Sequence, residues 1–195
     1  MDPRIIRLDE ALPRPWRNGG GTARDLLSLP ANTEAWQCQV SVADVERDGP
    51  FSDYPGVERW FAVVKGAGVV LTIDGKPFRL ERQSAPLRFD GGASTTCALI
   101  GEPTRDLNLM LREAHGALVH AVEGEPWQPG AAQCGIFSAV QGRCHVEDTD
   151  IDIPAGALLW FDAAPAELTF FASEVQDAIP AWWLTVSLDG KTPPP

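Results

Sequence analysis

Apolar segments in this chain are short, and each is cut by a glycine or proline turn signal before a long amphipathic helix could form. Residues 60–73 (WFAVVKGAGVVLTI) are β-branched and broken by Gly66 and Gly68, which predicts two strands joined by a tight turn. Asp74-Gly75 is a type I′ hairpin signal, and Lys76–Leu80 returns as the next strand. Residues 86–90 (PLRFD), 95–100 and 107–112 repeat the pattern. Only 26–29 and 103–108 leave room for a helical turn. Strands this short, separated by turn signals every 8–12 residues or so, predict an all-β sandwich or barrel. With 44% hydrophobic and 22% charged residues the chain can build a real core. No apolar run approaches the roughly 20 residues of a membrane span.

An internal repeat is visible. Residues 63–91 read strand, glycine turn, strand, Asp-Gly turn, then PLRFDGG; residues 135–164 read strand, VQGR turn, strand, DTD turn, then PAGALLWFDAA. Aligning Gly68 with Gly142 brings Phe89 and Phe161 nearly into register, each followed by an aspartate. Duplication at this scale points to two copies of one β-unit. The order of strands and G-x-G and P-x-G turns resembles the cupin jelly roll, a double-stranded β-helix, and two copies imply a bicupin. The expected division is a first barrel over 1–112, a second over 113–190 that shares strands with it, and a loose tail at 191–195. Metal-bearing cupins place His-x-His and Glu after the first glycine and a His after P-x-G. Here Val69–Ile73 and residues 158–160 (LLW) stand there, so neither a metal nor another cofactor is expected.

Bulk chemistry removes other classes. Sixteen basic against 27 acidic residues give a net charge of −11, the wrong sign for binding nucleic acid phosphates. The first ten residues (MDPRIIRLDE) lack an export signal's apolar stretch, so a cytoplasmic, non-membrane location is expected. Cys38, Cys97, Cys134 and Cys144 form no C-x-x-C pair and read as buried thiols. The three histidines, His115, His120 and His145, sit in acidic surroundings without a spacing that singles out a metal site.

Residues 16–24 read WRNGGGTAR. Three glycines in a row each give up roughly 0.5–1 kcal/mol of backbone entropy relative to alanine, so the backbone needs them there. Either they form a sharp turn into the first long strand, or their amides make an anion nest flanked by Asn18, Thr22 and Arg24. The run lacks the Lys-Ser/Thr of a P-loop. Further blocks follow: SVADV at 41–45, DGPFSDYPGVER at 48–59, PLRFDG at 86–91 and RDLNLM at 105–110. Together with WRNGGGTAR these blocks resemble the HutD/Ves family, small bicupins of bacteria, several encoded with histidine-utilisation genes. The resemblance implies a two-barrel cytoplasmic protein that regulates histidine catabolism by binding an intermediate such as formylglutamate or urocanate. Both ligands are carboxylates.

Arg59 offers five donors in a fixed fork that suits a carboxylate, or it pairs with Glu58 or Asp53. Period-two alternation sets Asn108 opposite Leu107, Leu109 and Leu111, and Ser41 opposite Val40 and Val42. If the leucines face a core between sheets, Asn108 faces a barrel interior and needs a partner, either a ligand or Asp106. Phe51 and Trp16 suit the wall of an apolar pocket or simply core. The candidate ligand-binding set is therefore Trp16, Asn18, Gly19, Gly20, Gly21, Thr22, Arg24, Ser41, Phe51, Arg59 and Asn108. No Ser/His/Asp or Cys/His set falls in these blocks, so no catalytic residue is assigned. Trp182-Trp183 reads as a lid on the second barrel or a homodimer contact. Three functions stay open: a carboxylate-binding regulator, a metal-independent isomerase or lyase acting on a small acid, and an interaction module without ligand.

Overall fold

Eighteen strands and no helix make up the described residues of the computed structural model, which are 3–16, 19–31, 33, 35–174 and 179–188. Asn18 and the tail at 191–195 lie outside them. The chain begins with β1 (Arg4–Arg7), β2 (Arg14–Pro15), β3 (Gly21–Leu29), β4 (Cys38–Val45), β5 (Gly49–Pro50) and β6 (Glu58–Lys65). Next come β7 (Val69–Ile73), β8 (Lys76–Leu80), β9 (Leu87–Asp90), β10 (Thr95–Leu99) and β11 (Thr104–Leu111). The second half holds β12 (Ala114–His120), β13 (Gln133–Ser138), β14 (Gly142–Val146) and β15 (Thr149–Ile153). It ends with β16 (Ala157–Phe161), β17 (Leu168–Ala172) and β18 (Ala181–Leu188). The β7–β8 turn has φ of +47° at Asp74 and +80° at Gly75, the signs a type I′ turn requires.

Neither place left open for a helical turn forms one. Residues 26–29 lie in β3 and Thr104 onward in β11. For β11 the reason is burial on two faces: Leu107 and Leu109 enter one core while Asp106 and Asn108 enter another, which only a strand's period of two allows. In β3 an irregularity between Asp25 and Leu27 turns Leu26 and Leu27 into the same core.

Four sheets result. A six-stranded sheet runs β2-β3-β4-β11-β6-β9 and a four-stranded sheet β5-β10-β7-β8. A five-stranded sheet runs β1-β16-β13-β18-β12 and a three-stranded sheet β15-β14-β17. The internal repeat is explicit in this order, because β11-β6-β9 over β10-β7-β8 recurs as β18-β13-β16 over β17-β14-β15. The hairpin registers Val69↔Leu80 and Gly142↔Ile153 make Val69 the structural equivalent of Gly142, one residue from the match that the glycines give in sequence. The N-terminal β1 joins the second half's sheet, pairing with β16.

Apolar side chains gather in three layers. The central layer lies between the six- and five-stranded sheets and contains Val40, Val42, Leu107, Leu109, Trp160, Trp182 and Leu184. The second half's interior is apolar throughout its buried cluster, with Ile136, Leu159, Phe170 and Trp183 among its members. The first half's interior holds Val45, Phe61, Val63, Val69, Leu71 and Cys97. Trp182 and Trp183 are each 1% exposed, so they are core and not a lid or dimer contact. Adjacent residues on one strand point to opposite faces, and here both faces are buried, Trp183 stacking on Trp127 at 4.6 Å. All four cysteines are buried and unpaired.

β3 and β4 meet most tightly at Gly21, where a Cβ would collide with the carbonyl oxygen of Asp44. Backbone cannot yield as a flexible side chain can. Gly21→Ala is therefore expected to cost about 1–3 kcal/mol, as overpacking does, read as a lower urea midpoint at unchanged m-value.

Candidate functional site

The six-stranded sheet presents its second face to the four-stranded sheet, and that face carries polar groups. In register across it lie Ser41, Asn108 and Phe61, then Ala43, Asp106 and Val63, then Gln39, Met110 and Arg59. Arg59, Asn108, Ser41 and Asp106 are all buried. In the second half the buried polar residues among those described are Ser138 and Thr169, beside an apolar cluster, so the buried charged and amide groups belong to the first half.

Arg59 is the centre of this face. Its guanidinium lies over three aromatic rings, at 5.2 Å from Phe51, 5.7 Å from Tyr54 and 5.2 Å from Phe89. Its Nη2 donates to Asn108 Oδ1 at 3.2 Å. Its Nε is buried without a hydrogen-bond partner. Among the described residues no carboxylate comes within ion-pairing distance of it. Glu58 instead takes Arg88 and the Trp60 indole N–H. Burial holds the Arg59 pKa down to about 10, with Tyr54 acting weakly the other way. At neutral pH the result is a cation in an aromatic cage with no counter-charge among the described residues.

Distant blocks of sequence build this cage. Phe51, Tyr54 and Arg59 come from 48–59, Phe89 from 86–91, Asn108 from 105–110 and Trp16 from 16–24. Backbone bonds lock the first two together: Tyr54 N–H donates to Gly91 C=O at 2.7 Å, and Gly91 N–H donates to Val57 C=O at 2.7 Å. Trp16 stands behind Phe51 with ring centroids 5.7 Å apart. Asn108 thus finds its partner in Arg59, not in Asp106.

Other candidates lie elsewhere. The glycines turn β2 into β3: Gly19, at φ +66°, donates its N–H to Trp16 C=O, while Gly20 C=O accepts from Glu46 N–H at 2.9 Å. The close approach that these glycines permit is to the end of β4. Thr22 and Arg24 sit in register with Asp44 and Val42, on the opposite face of the sheet from Asn108. Arg24 Nη1 donates to Asp44 Oδ2 at 2.7 Å, and Arg105 Nε donates to Asp44 Oδ1 at 2.7 Å. Burial alone would raise the Asp44 carboxyl, but these two guanidinium bonds hold it below its ordinary value. Arg24 already has its carboxylate.

Tyr54, Phe89 and Asp106 also belong to this interior, although they are not in the candidate set drawn from the sequence. The Tyr-Pro-Gly turn and the PLRFDG block were the available signals for the first two. Asp106 is fully buried, and Thr104 Oγ1 donates to its Oδ2 at 2.9 Å. Burial raises its pKa well above the carboxylate range, the bond from Thr104 opposes that, and Asp44 adds to it. Burial also pushes the facing Cys97 thiol up to about 12, with Asp106 and Asp48 contributing. Two grooves open on the surface of these strands. One of about 480 Å³ is lined by Val57, Glu58, Phe89 and Asp90, the other of about 460 Å³ by Asp44, Lys65, Thr104 and Arg105.

The interior does not fit the metal that many cupins carry. Val69 and Leu71 are fully buried apolar residues where ligands would stand. Among the described residues no group of three or more His, Cys, Asp or Glu side chains is placed to hold a metal ion. His120 Nε2 meets Ser84 C=O at 3.0 Å and His145 Nδ1 meets Asp150 at 2.8 Å. No helix of the described residues is long and apolar enough to cross a membrane.

This is an all-β protein of the cupin fold with one polar barrel-like interior. A variant of oxalate decarboxylase from Bacillus subtilis superposes over 95% of this chain and 77% of its own, with TM-score 0.62 at 10% identity, a likeness of fold alone. The chain belongs to the HutD family, whose profile matches residues 9–178. An uncharacterized 21.2 kDa protein in the hutC 3′ region of Pseudomonas putida is 31% identical over 107 residues; the match covers 54% of this chain and 56% of that protein, so this chain spans little more than half its length. Protein Ves of Citrobacter koseri is 28% identical over 149 residues, 75% of this chain and 77% of its own. The structure of HutD from Pseudomonas fluorescens SBW25, in a formate condition, superposes with TM-score 0.80 at 25% identity, over 97% of this chain and all of that one.

Proposed function

We propose that this chain binds a small carboxylate between the two sheets of its first half, through Arg59, and that it acts in the cytoplasm as a HutD-like regulator of histidine catabolism. The observation that carries this reading is the buried Arg59 cation, which among the described residues has one side-chain hydrogen bond, an orphaned Nε and no carboxylate of its own. Burying a charge without a partner is costly, and a ligand carboxylate supplies both the charge and the missing acceptor. The aromatic rings hold the guanidinium in place without competing for its N–H groups. The hutC-region relative supports the metabolic setting. Formylglutamate and urocanate are the first ligands to try.

A thermal-shift titration tests this. Formate, acetate, urocanate and formylglutamate should raise the melting temperature in proportion to the logarithm of their concentration, while formamide and acetamide should not. Equal effects of acids and amides at matched ionic strength would remove the carboxylate from the reading.

A further inference from the structure

The Arg59 site has a second end. Asp106 lies on the same strand as Asn108, two residues away, and on the same interior face. That spacing is about 6.8 Å along β11. Asp106 is fully buried, and its Oδ1 has no hydrogen-bond partner. Its other oxygen accepts from Thr104. Among the described residues no cation comes within ion-pairing distance of it, and the charge that acts on it is the like charge of Asp44. Burial and the like charge of Asp44 favour the protonated form of this carboxyl, with the bond from Thr104 acting against it. With Oδ2 accepting from Thr104, a proton on this carboxyl sits on Oδ1, the buried atom that has no hydrogen-bond partner among the described residues.

The interior therefore holds two unsatisfied polar atoms on one face: Arg59 Nε, which asks for a negative oxygen, and Asp106 Oδ1, which asks for any oxygen acceptor. Native proteins leave few such atoms, and two facing one interior have a common explanation in a ligand that meets both.

Resting on the carboxylate reading, we propose that the ligand is two-ended: a carboxylate held by Arg59 and Asn108 at one end, and a second oxygen acceptor, a carbonyl or a further carboxylate, held by the Asp106 O–H at the other. Asp106 acts as a ruler for ligand length and gives selectivity for bifunctional acids over simple ones.

Calorimetric titration with linear dicarboxylates from malonate to pimelate, each against the monocarboxylate of the same chain length, tests it. In the wild-type protein one dicarboxylate length should bind at least tenfold tighter than its monocarboxylate. Asp106→Leu should bring that pair to equal affinity while leaving the monocarboxylate unchanged. Asp106→Asn, whose amide still donates, should keep the dicarboxylate within about threefold of wild type. If monocarboxylates bind but no dicarboxylate of any length binds better, or Asp106→Leu keeps the preference, the second end is refuted and the Arg59 site stands. If no carboxylate of either kind binds the wild-type protein, the Arg59 reading falls and this one with it. The wild-type ladder decides even where Asp106→Leu fails to fold.

Discussion

Arg59→Met should remove most of the carboxylate affinity and leave the ligand-free protein as stable as wild type or more so. The two effects come from the same atoms. Losing a charge-assisted bond to a bound carboxylate costs roughly 1.5–3 kcal/mol, or about a 10- to 150-fold loss of affinity. In the empty protein the balance runs the other way. Holding a buried guanidinium at a pKa of about 10 in place of its ordinary value of 12.5 disfavours the folded state by roughly 3 kcal/mol at neutral pH. Because the folded pKa is the lower one, that penalty is present in full below pH 10 or so and fades only above it. Methionine fills similar length, packs well against Phe51, Tyr54 and Phe89, and removes the orphaned Nε.

Against this stand the lost contacts with the rings, worth about 1–2 kcal/mol, and the stranding of Asn108 Oδ1. The net expectation is a change between zero and about +2 kcal/mol, which for a domain of this size raises the melting temperature by up to several degrees. Arg59→Met with Asn108→Leu removes donor and acceptor together and should gain further. An arginine that served only the fold would behave oppositely. Breaking a structural buried pair costs roughly 3–5 kcal/mol. A ligand-free Arg59→Met protein destabilised to that extent would make Arg59 a structural residue.

How far the sequence disclosed this depended on the distance over which each signal acts. Strand positions and the Asp74-Gly75 hairpin are local properties of φ and side-chain alternation, and they read well from residues 60–90. The face assignment of Asn108 also came through, because three leucines at alternate positions leave the intervening residue only one place to go. Where a segment buries both faces, as β11 does, or carries a bulge, as β3 does between Asp25 and Leu27, alternation fades. Residues 26–29 and 103–108 then look as helical as they look extended, and the partner sheets decide. The offset of one residue between the glycine match and the structural match arises in the same way, since strand register is set by pairing and not by identity.

The site was legible as a set of blocks but not as a geometry. Arg24 and Arg59 are both arginines near glycine turns, and nothing local separates them. The difference lies in Asp44, on another strand, which occupies Arg24 and cannot reach Arg59 from the opposite face of the sheet. Likewise Glu58 looked like a natural partner for Arg59, yet neighbours on a strand point to opposite faces, so Glu58 meets Arg88 across the β6–β9 pair. Asp106 was the hardest to see. An aspartate between an arginine and a leucine reads as a surface residue until the facing sheet covers it.

Trp182→Ala should be the most destabilising single substitution considered, and Trp183→Ala nearly as severe, although the two side chains share no cluster. Trp182 lies in the central layer between the two halves, tilted against Phe137 at 6.3 Å, while Trp183 fills the second half's interior and stacks on Trp127. Truncating a fully buried tryptophan costs about 3–5 kcal/mol, made of lost transfer free energy and the cavity left behind. For a chain with a stability in the usual range of 5–15 kcal/mol, that is a large share of the total. Trp182 carries one further handle: its indole N–H is buried with no acceptor. Trp182→Phe removes that orphan along with part of the ring, so its cost should be far below the alanine value, on the order of 1 kcal/mol. Urea denaturation with sedimentation analysis reads both quantities. A large loss of stability for Trp182→Ala with no change of assembly state is the core result; near-wild-type stability with a change in association would return these residues to the surface role that their place near the C-terminus first implied.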